Sequence, residues 1–399
     1  MSDSPLPGRE FTRRSLLRTG TGVALGTTIA AGSGLLRATP AAATNGIGQT
    51  GAPLCQLPGD SASQHGLGSG DLGIPYYREH DRSWGYVFGD SFNAGNTYLG
   101  SPVMLNQASF DSSGAAPISF SYAMPNGTAA QLFNYAHGVD NGYGVESTRI
   151  PNDCIEFGGR TYLQYTSVVH GIGGDPLPAG DDGSLMSGVA WSDDFGVTWT
   201  DYPWHWDGQY RGVNQSMYGM WSFAGIDPDG WLYIFSKRWN GSHKNTADQG
   251  AIQLFRINPD EFRAGNFGAQ QNWIYDGSNW RWATDGTPPS LLFAPGNNIG
   301  EFSVKRINGT YCMSYLDVTD GSICTRTAPR PDAAWSAPTP QIVANNTWPP
   351  NHWGRPQVDS PYGGYIHPGS ASATSLTLIV SQWTPQGAYR VLQFDGINP

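Results

Sequence analysis

The sequence predicts an all-β fold, a five-bladed β-propeller in a single domain, and three observations lead there. Strand-like runs of apolar and β-branched residues fall into five groups along the chain. Turn chemistry of Gly, Asp, Asn or Pro closes each run, and 53 Gly with 29 Pro leave little room for long helices. Groups of three to four strands that recur in this way are the mark of blades around a channel. A β-sandwich is the alternative, but the chain is large for one sandwich.

Residues 1–43 read as an export signal. Thr12-Arg13-Arg14-Ser15-Leu16-Leu17-Arg18 is a twin-arginine element, Thr19 to Leu36 carries no charge, and Ala41-Ala42-Ala43 offers small residues for a signal peptidase. The uncharged stretch is rich in Gly and Thr, which makes it a poor bilayer span. The expectation is a protein exported already folded, then secreted or kept in the cell envelope as a monomer with no membrane attachment after processing. Residues 44–64 read as an N-terminal extension and residues 65–399 as the propeller. Removing residues 1–43, with five Arg and two acids, takes the formal charge from −10 to −13. That excludes nucleic acid and anionic membranes as partners, because both demand basic surface.

The five groups follow in order. Trp84–Phe92 is the first; Cys154–Phe157, Thr161–Val169 and Gly188–Trp191 form the second. Met217–Ala224, Trp231–Ser236 and Ala251–Ile257 form the third. Glu301 opens the fourth, with Tyr311–Leu316 and Ser322–Arg326, and the fifth holds Gly364–His367, Leu376–Trp383 and Tyr389–Phe394. After Gly188–Trp191 comes Ser192-Asp193-Asp194-Phe195-Gly196-Val197-Thr198-Trp199, which resembles the Asp-box of sialidase-like propellers. Its physics is local: Asp194 accepts N–H bonds across the turn, Gly196 permits positive φ, and Trp199 packs beneath. The turn is structural.

Cys55, Cys154, Cys312 and Cys324 lie beyond the signal, and an even count in an exported protein predicts two disulfides with three connectivities open. Cys312 and Cys324 flank the turn Asp317–Gly321 and are expected to bridge, which leaves Cys55 for Cys154. No CxxC pair or His-rich cluster suggests zinc, and no metal or other cofactor is required, although a structural calcium is compatible with the channel.

In a propeller the inner strands bring polar residues from distant parts of the chain to one channel. Asp71, in Gly70-Asp-Leu-Gly73, stands just before the first strong strand, and Asp90, in Phe88-Gly-Asp-Ser-Phe92, stands inside it. Aspartate disfavours strands, so an Asp bracketed by Phe88 and Phe92 needs a reason. On consecutive inner segments the two form a carboxylate pair suited to glycosidic cleavage. Asp153 follows Ile150-Pro151 and is expected to reach the same cavity beside Asp90; Glu146 reads as a loop residue. Arg149, Glu301 and His367 are candidate substrate-binding residues, as are Trp221 and Trp383 among 15 Trp and 19 Tyr suited to stacking on sugars.

Gly70-Asp-Leu-Gly73, Phe88-Gly-Asp-Ser-Phe92, Ile150-Pro151, Trp191-Ser-Asp-Asp194, Thr198-Trp199, Gly300-Glu301, Arg326-Thr-Ala-Pro329, Trp335-Ser336, Tyr365-Ile-His-Pro368 and Ser381-Gln-Trp383 occur in this order. Together they resemble the actinobacterial glycoside hydrolase family 183, formerly a domain of unknown function, over about residues 65 to 396. The resemblance implies an endo-D-arabinanase on a five-bladed propeller, cutting the D-arabinan of mycobacterial arabinogalactan and lipoarabinomannan. Residues 239–248 and Trp348-Pro-Pro350 match no motif of that family. The reading assigns Asp90 as general acid, since Phe88 and Phe92 would desolvate it, and Asp71 in a wetter segment as base, which makes the enzyme inverting. Swapped roles, or a retaining enzyme with Asp71 as nucleophile, stay open. A sialidase would need repeated Asp-boxes, and a non-catalytic glycan-binding propeller would not need both Asp71 and Asp90.

Overall fold

In the computed structural model, four- and five-stranded sheets, antiparallel except for one outer pair (343–344 with 357–358), form five blades around one axis. The structure describes residues 52–55, 61–113, 117–135, 137, 139–140, 145–169, 184–208, 216–239, 252–293, 298–344, 355–383 and 388–399. The export signal therefore lies outside the described residues, as do most of residues 239–248 and all of Trp348-Pro-Pro350.

Blade 1 is β2 (Ser69–Arg78), β3 (Ser83–Phe92), β5 (Val103–Gln107) and β6 (Tyr122–Ala123), with the short β4 (Tyr98–Gly100) also on β3. Blade 2 runs β8 (Val145–Phe157), β9 (Arg160–Val169), β10 (Ser184–Ser192), β11 (Thr200–Asp207), and β7 (Val139–Asp140) pairs with β8. Blade 3 is β12 (Met220–Ile226), β13 (Leu232–Lys237), β14 (Gln253–Ile257), β15 (Gln271–Tyr275) and β16 (Trp280–Ala283). Blade 4 is β17 (Ile299–Ile307), β18 (Thr310–Asp317), β19 (Ser322–Ala328), β20 (Thr339–Ala344) and β21 (Gln357–Val358). Blade 5 is β22 (Pro361–Ile366), β23 (Leu376–Trp383) and β24 (Tyr389–Ile397), completed on its outside by β1 (Ala52–Cys55). The first strands β2, β8, β12, β17 and β22 touch in turn, and β22 meets β2, so they close the ring around the channel.

The five groups read from the sequence are the five blades. Two boundaries move. Blade 1 begins at Ser69, so Asp71 lies within the inner strand and Asp90 on the second strand, not on consecutive inner segments. Ala52–Cys55, placed in the extension by the sequence, belongs to blade 5.

The central strands are buried along nearly their whole length and not at alternate residues. Each sheet is covered on both faces by its neighbours, so apolar residues fill both sides of the central strands. A second cluster between blades 2 and 3 is mostly aromatic, with Tyr162, Trp206, Trp221, Phe223, Phe255, Phe262 and Phe267 among its members. Phe262 reaches it from α1 (Pro259–Arg263), a single turn capped by the Asn258 side chain on the Asp260 N–H.

The Asp-box behaves as read. Asp194 accepts from the Thr198 N–H at 2.8 Å, the Thr198 hydroxyl at 2.6 Å and the Ser192 hydroxyl at 2.7 Å. Gly196 sits at φ 105°, and the Trp199 indole donates to its carbonyl.

The disulfides do not form: Cys154, Cys312 and Cys324 are free and buried. Cys312 lies opposite Thr327 and Cys324 opposite Tyr315, three positions out of register. An odd offset puts the two side chains on opposite faces of the sheet, beyond the reach of an S–S bond. Cys55 stands on the outermost strand of blade 5 and Cys154 on the inner strand of blade 2, with blade 1 between them. Burial pushes the Cys312 and Cys324 thiols up to about 12, so both stay protonated near neutrality.

Candidate active site

Asp71 and Asp90 meet across the first hairpin of blade 1. The pairs Gly70↔Ser91 and Leu72↔Phe88 bracket one residue on β2 and two on β3, a bulge that sets Asp71 opposite Gly89 and Asp90. Any side chain at 89 would force the Asp71 carboxylate to move, because a Cβ there would stand 2.1 Å from Asp71 Oδ1. The neighbouring Leu72 takes φ 68°, a conformation costing about 1–3 kcal/mol in a non-glycine residue. Its N–H is held at 2.7 Å by the Ser381 hydroxyl of blade 5. Strain beside a buried carboxylate, fixed by a neighbouring blade, marks a position set by more than folding.

Asp90 is 2 % exposed and Asp71 fully buried. The expected contrast between a dry Asp90 and a wetter Asp71 is therefore absent, because the bulge turns Asp71 inward under β3. Burial does not separate the acid from the base. Asp90 Oδ1 accepts from the Tyr98 hydroxyl at 3.0 Å and the Thr148 hydroxyl at 2.9 Å. Burial and the adjacent Asp90 push the Tyr98 phenol far above its ordinary range, so it remains a donor. Oδ2 takes no hydrogen bond from the described residues, which leaves it for a substrate oxygen or a water.

Aromatic rings curve away from this pair. Trp383 packs on Tyr389 at 4.6 Å, Tyr389 on Phe92 at 6.0 Å, and Phe92 on Tyr98 at 5.3 Å. His137 continues the arc at 4.9 Å from Tyr98 and 4.7 Å from Tyr135. Trp383, expected to bind substrate, is thus a half-buried member of the arc nearest Asp90.

Arg149 stands next to Thr148 at the same end of β8. It donates to Glu146 at 2.8 Å and to Asp201 at 2.9 Å, and its guanidinium lies 4.9 Å from both the Tyr135 and Tyr165 rings. Glu146 is 1 % exposed, so it is a buried partner of Arg149 and not a loop residue. Glu301, half-buried near the start of β17, lies in the register shift between Ile299 and Phe302. That places it at the same end of the channel on blade 4.

Three candidates fall elsewhere. Asp153 follows Thr148 by five residues on β8, roughly 16 Å down the strand, so it does not sit beside Asp90. There it accepts from Lys305 Nζ at 2.6 Å, the Ser222 hydroxyl at 2.8 Å, and the Phe223 and Cys154 N–H groups at 2.8 Å. His367 lies past the far end of β22, fully buried and stacked at 3.6 Å on Phe110. Its Nδ1 accepts from the Gly369 N–H at 3.0 Å, so Nε2 carries the proton and donates to Tyr86 at 2.9 Å. Burial lowers its pKa to about 3. Trp221 is fully buried among Trp206, Phe223 and Phe255, so it is core and not a sugar platform.

Sequence reasoning missed Tyr98, Thr148 and Lys305. Thr148 lies two residues from Glu146 in a stretch already singled out, but the acids drew the attention. Tyr98 sits on a three-residue strand with no periodicity to betray it. Among the described residues, no cluster of three His, Cys, Asp or Glu side chains is arranged to hold a metal. A cleft of about 390 Å³ lined by Arg78, Asn106 and Gln107 opens at the other end of blade 1.

Residues 56–395 match the model of DUF4185, a domain of unknown function. An uncharacterised 35.9 kDa protein of Mycolicibacterium smegmatis is 29% identical over 205 residues, covering 48% of this chain and 56% of its own length. The match thus spans little more than half of that relative. In structure, a putative hydrolase from Bacteroides ovatus superposes with TM-score 0.52 at 11% identity, over 83% of this chain and 87% of its own. A GH43_1 enzyme from Xanthomonas citri gives TM-score 0.47 at 13% identity, over 86% of this chain and 90% of its own. At such identities the likeness is one of fold.

Proposed function

The chain belongs to the DUF4185 family, and on that premise we propose that it is a glycoside hydrolase acting on a neutral polysaccharide. One observation carries the reading: two buried aspartates lie opposite each other in the register of a bulge, one with an oxygen that takes no hydrogen bond from the described residues, at the mouth of a channel edged by aromatic rings. Glycosidic cleavage passes through an oxocarbenium-like state, which requires one carboxyl to protonate the leaving oxygen while another acts from the opposite side. Asp90 Oδ2 supplies the proton, Oδ1 being held by Tyr98 and Thr148. Asp71, immobilised between Gly89 and the Leu72 kink, serves as base for a water in an inverting reaction. Arg149, Glu301 and the partly exposed rings of the arc, Trp383 and Tyr98, bind the sugars, while the buried Phe92 and Tyr389 pack against those rings.

The substrate is D-arabinan and the cut internal, a reading supported by the motifs from Gly70 to Trp383 and by an acidic chain suited to an uncharged polymer. Export by the twin-arginine route follows from Arg13 and Arg14. Incubating the chain lacking residues 1–43 with D-arabinan, counting new reducing ends and sizing the products tests the reading. Fragments of several lengths are expected from the start; no new ends would remove the enzymatic reading, and single sugars alone would remove the internal cut. NMR of the first-formed anomer tests the role of Asp71, which retained configuration would recast as nucleophile.

A further inference from the structure

The outer hairpin of blade 3 carries a second aromatic surface, apart from the arc beside Asp90. Trp273 pairs with Trp282 and Tyr275 with Trp280 across β15 and β16. Directly opposed residues and those two apart share a face, so all four rings project from one side of the hairpin. The rings run in sequence: Tyr233 to Trp282 at 5.8 Å, Trp282 to Trp273 at 4.8 Å, Trp273 to Trp280 at 5.8 Å and nearly parallel, Trp280 to Tyr275 at 5.5 Å. Trp273 and Trp282 pack against the main core, and the Arg256 guanidinium stands 4.2 Å over the Trp282 ring. The row is therefore anchored at its inner end. At its outer end Tyr275 and Trp280 are 49% and 41% exposed.

Strand direction places this outer end. β12 starts at the mouth, and each later strand of the blade reverses, so β15 runs back toward the mouth and Tyr275 ends level with it. The tight turn beyond is fixed by Asp276, which accepts the Ser278 and Asn279 N–H groups at 3.0 and 2.9 Å, and by Arg281 at 3.5 Å from it. Two half-exposed rings offer on the order of 200 Å², far below the roughly 1,200 Å² of a stable protein interface. A chain of formal charge −10 gives no attraction to an anionic surface. What remains is a ligand that is flat, neutral and repeated.

We infer that this hairpin is a remote carbohydrate-binding surface, stacking uncharged sugar units of a polymer whose other part occupies the channel mouth. It rests on the polysaccharide reading above but not on catalysis. The test uses the Asp90→Asn protein, so that binding is read without hydrolysis, with affinity electrophoresis in gels containing D-arabinan. Adding Tyr275→Ala and Trp280→Ala should weaken retention about tenfold, while Trp280→Phe keeps most of it. In the otherwise native protein the same double change should raise KM for the polymer and leave hydrolysis of a short arabino-oligosaccharide unaltered. Unchanged retention overturns the inference, as does an equal loss on short and long substrates, or a shift from dimer to monomer in sedimentation. If the rings govern retention yet no variant hydrolyses the polymer, this surface stands and the catalytic reading falls.

Discussion

The mouth and the waist of the channel are built from the same ingredient, an aspartate on a strand near the axis, and they do opposite things. At the waist, Asp153 of blade 2 is enclosed by Lys305 of blade 4 and by Ser222 and Phe223 of blade 3, and both its oxygens accept bonds. It ties three blades together. At the mouth, Asp90 receives two hydroxyls on one oxygen and none from the described residues on the other. On the function proposed above, the difference teaches that what sets a functional acid apart from a structural one is what its neighbours leave undone. A carboxylate saturated by a cation and N–H groups has no capacity left to exchange a proton with a substrate.

Substitutions at the two levels should break differently. Asp71→Asn and Asp90→Asn should each cut turnover between about a hundredfold and ten thousandfold, as lost acid–base catalysis does, with melting temperature barely moved. Native turnover in either would remove that residue from the pair. Asp153→Asn should instead destabilise the fold by about 3–5 kcal/mol, because the buried Lys305 ammonium loses its counter-charge. Urea unfolding of Asp153→Asn beside a Lys305→Met, Asp153→Asn double variant sharpens the point: the double should recover part of the loss. Equal stability in all three would show the waist pair to be idle.

His367, wedged between blades 5 and 1, separates structural burial from function by pH. Folding holds its pKa down at about 3, below the roughly 6.5 of a free imidazole. As pH falls below about 6.5 the unfolded chain takes up a proton that the folded chain refuses, and stability declines toward about 3. Each pH unit should cost up to about 1.4 kcal/mol from this group, and His367→Gln should flatten the slope between pH 6.5 and 4.5. Parallel slopes would mean that the ring titrates freely. The smallest effect belongs to the Asp-box, which touches neither level. Asp194→Ala should cost about 0.5–1.5 kcal/mol by removing its bonds from Thr198 and Ser192, with turnover per folded molecule unaltered.

Most of the fold was legible because strand periodicity and turn residues are local signals, and five clusters of them are hard to mistake. What escaped depended on contacts between distant segments. The Cys312–Cys324 bridge failed on a three-residue register offset that spacing alone does not reveal. Asp71 and Asp90 could be singled out because apolar and glycine neighbours made an acid conspicuous. Asp153 was conspicuous for the same reason, and only Lys305, 152 positions away in sequence, shows that its role is cohesion. Trp221 shows the converse, since composition marks a tryptophan without saying which side of the sheet it faces.

Blade 5 borrows its outer strand from the start of the chain: Ala52 pairs with Gln393 and Cys55 with Val391. The ring is thus a circle drawn by a pen that must return to its starting point. Joining ends so far apart in sequence is a slow, high-contact-order event, although its entropic cost grows only with the logarithm of the loop. Because β24 leaves the ribosome after every other described strand, no chain that stops short of it can shut the circle. Closure of the channel is thereby deferred to the last strand of blade 5, a checkpoint that no earlier fragment of the ring can pass.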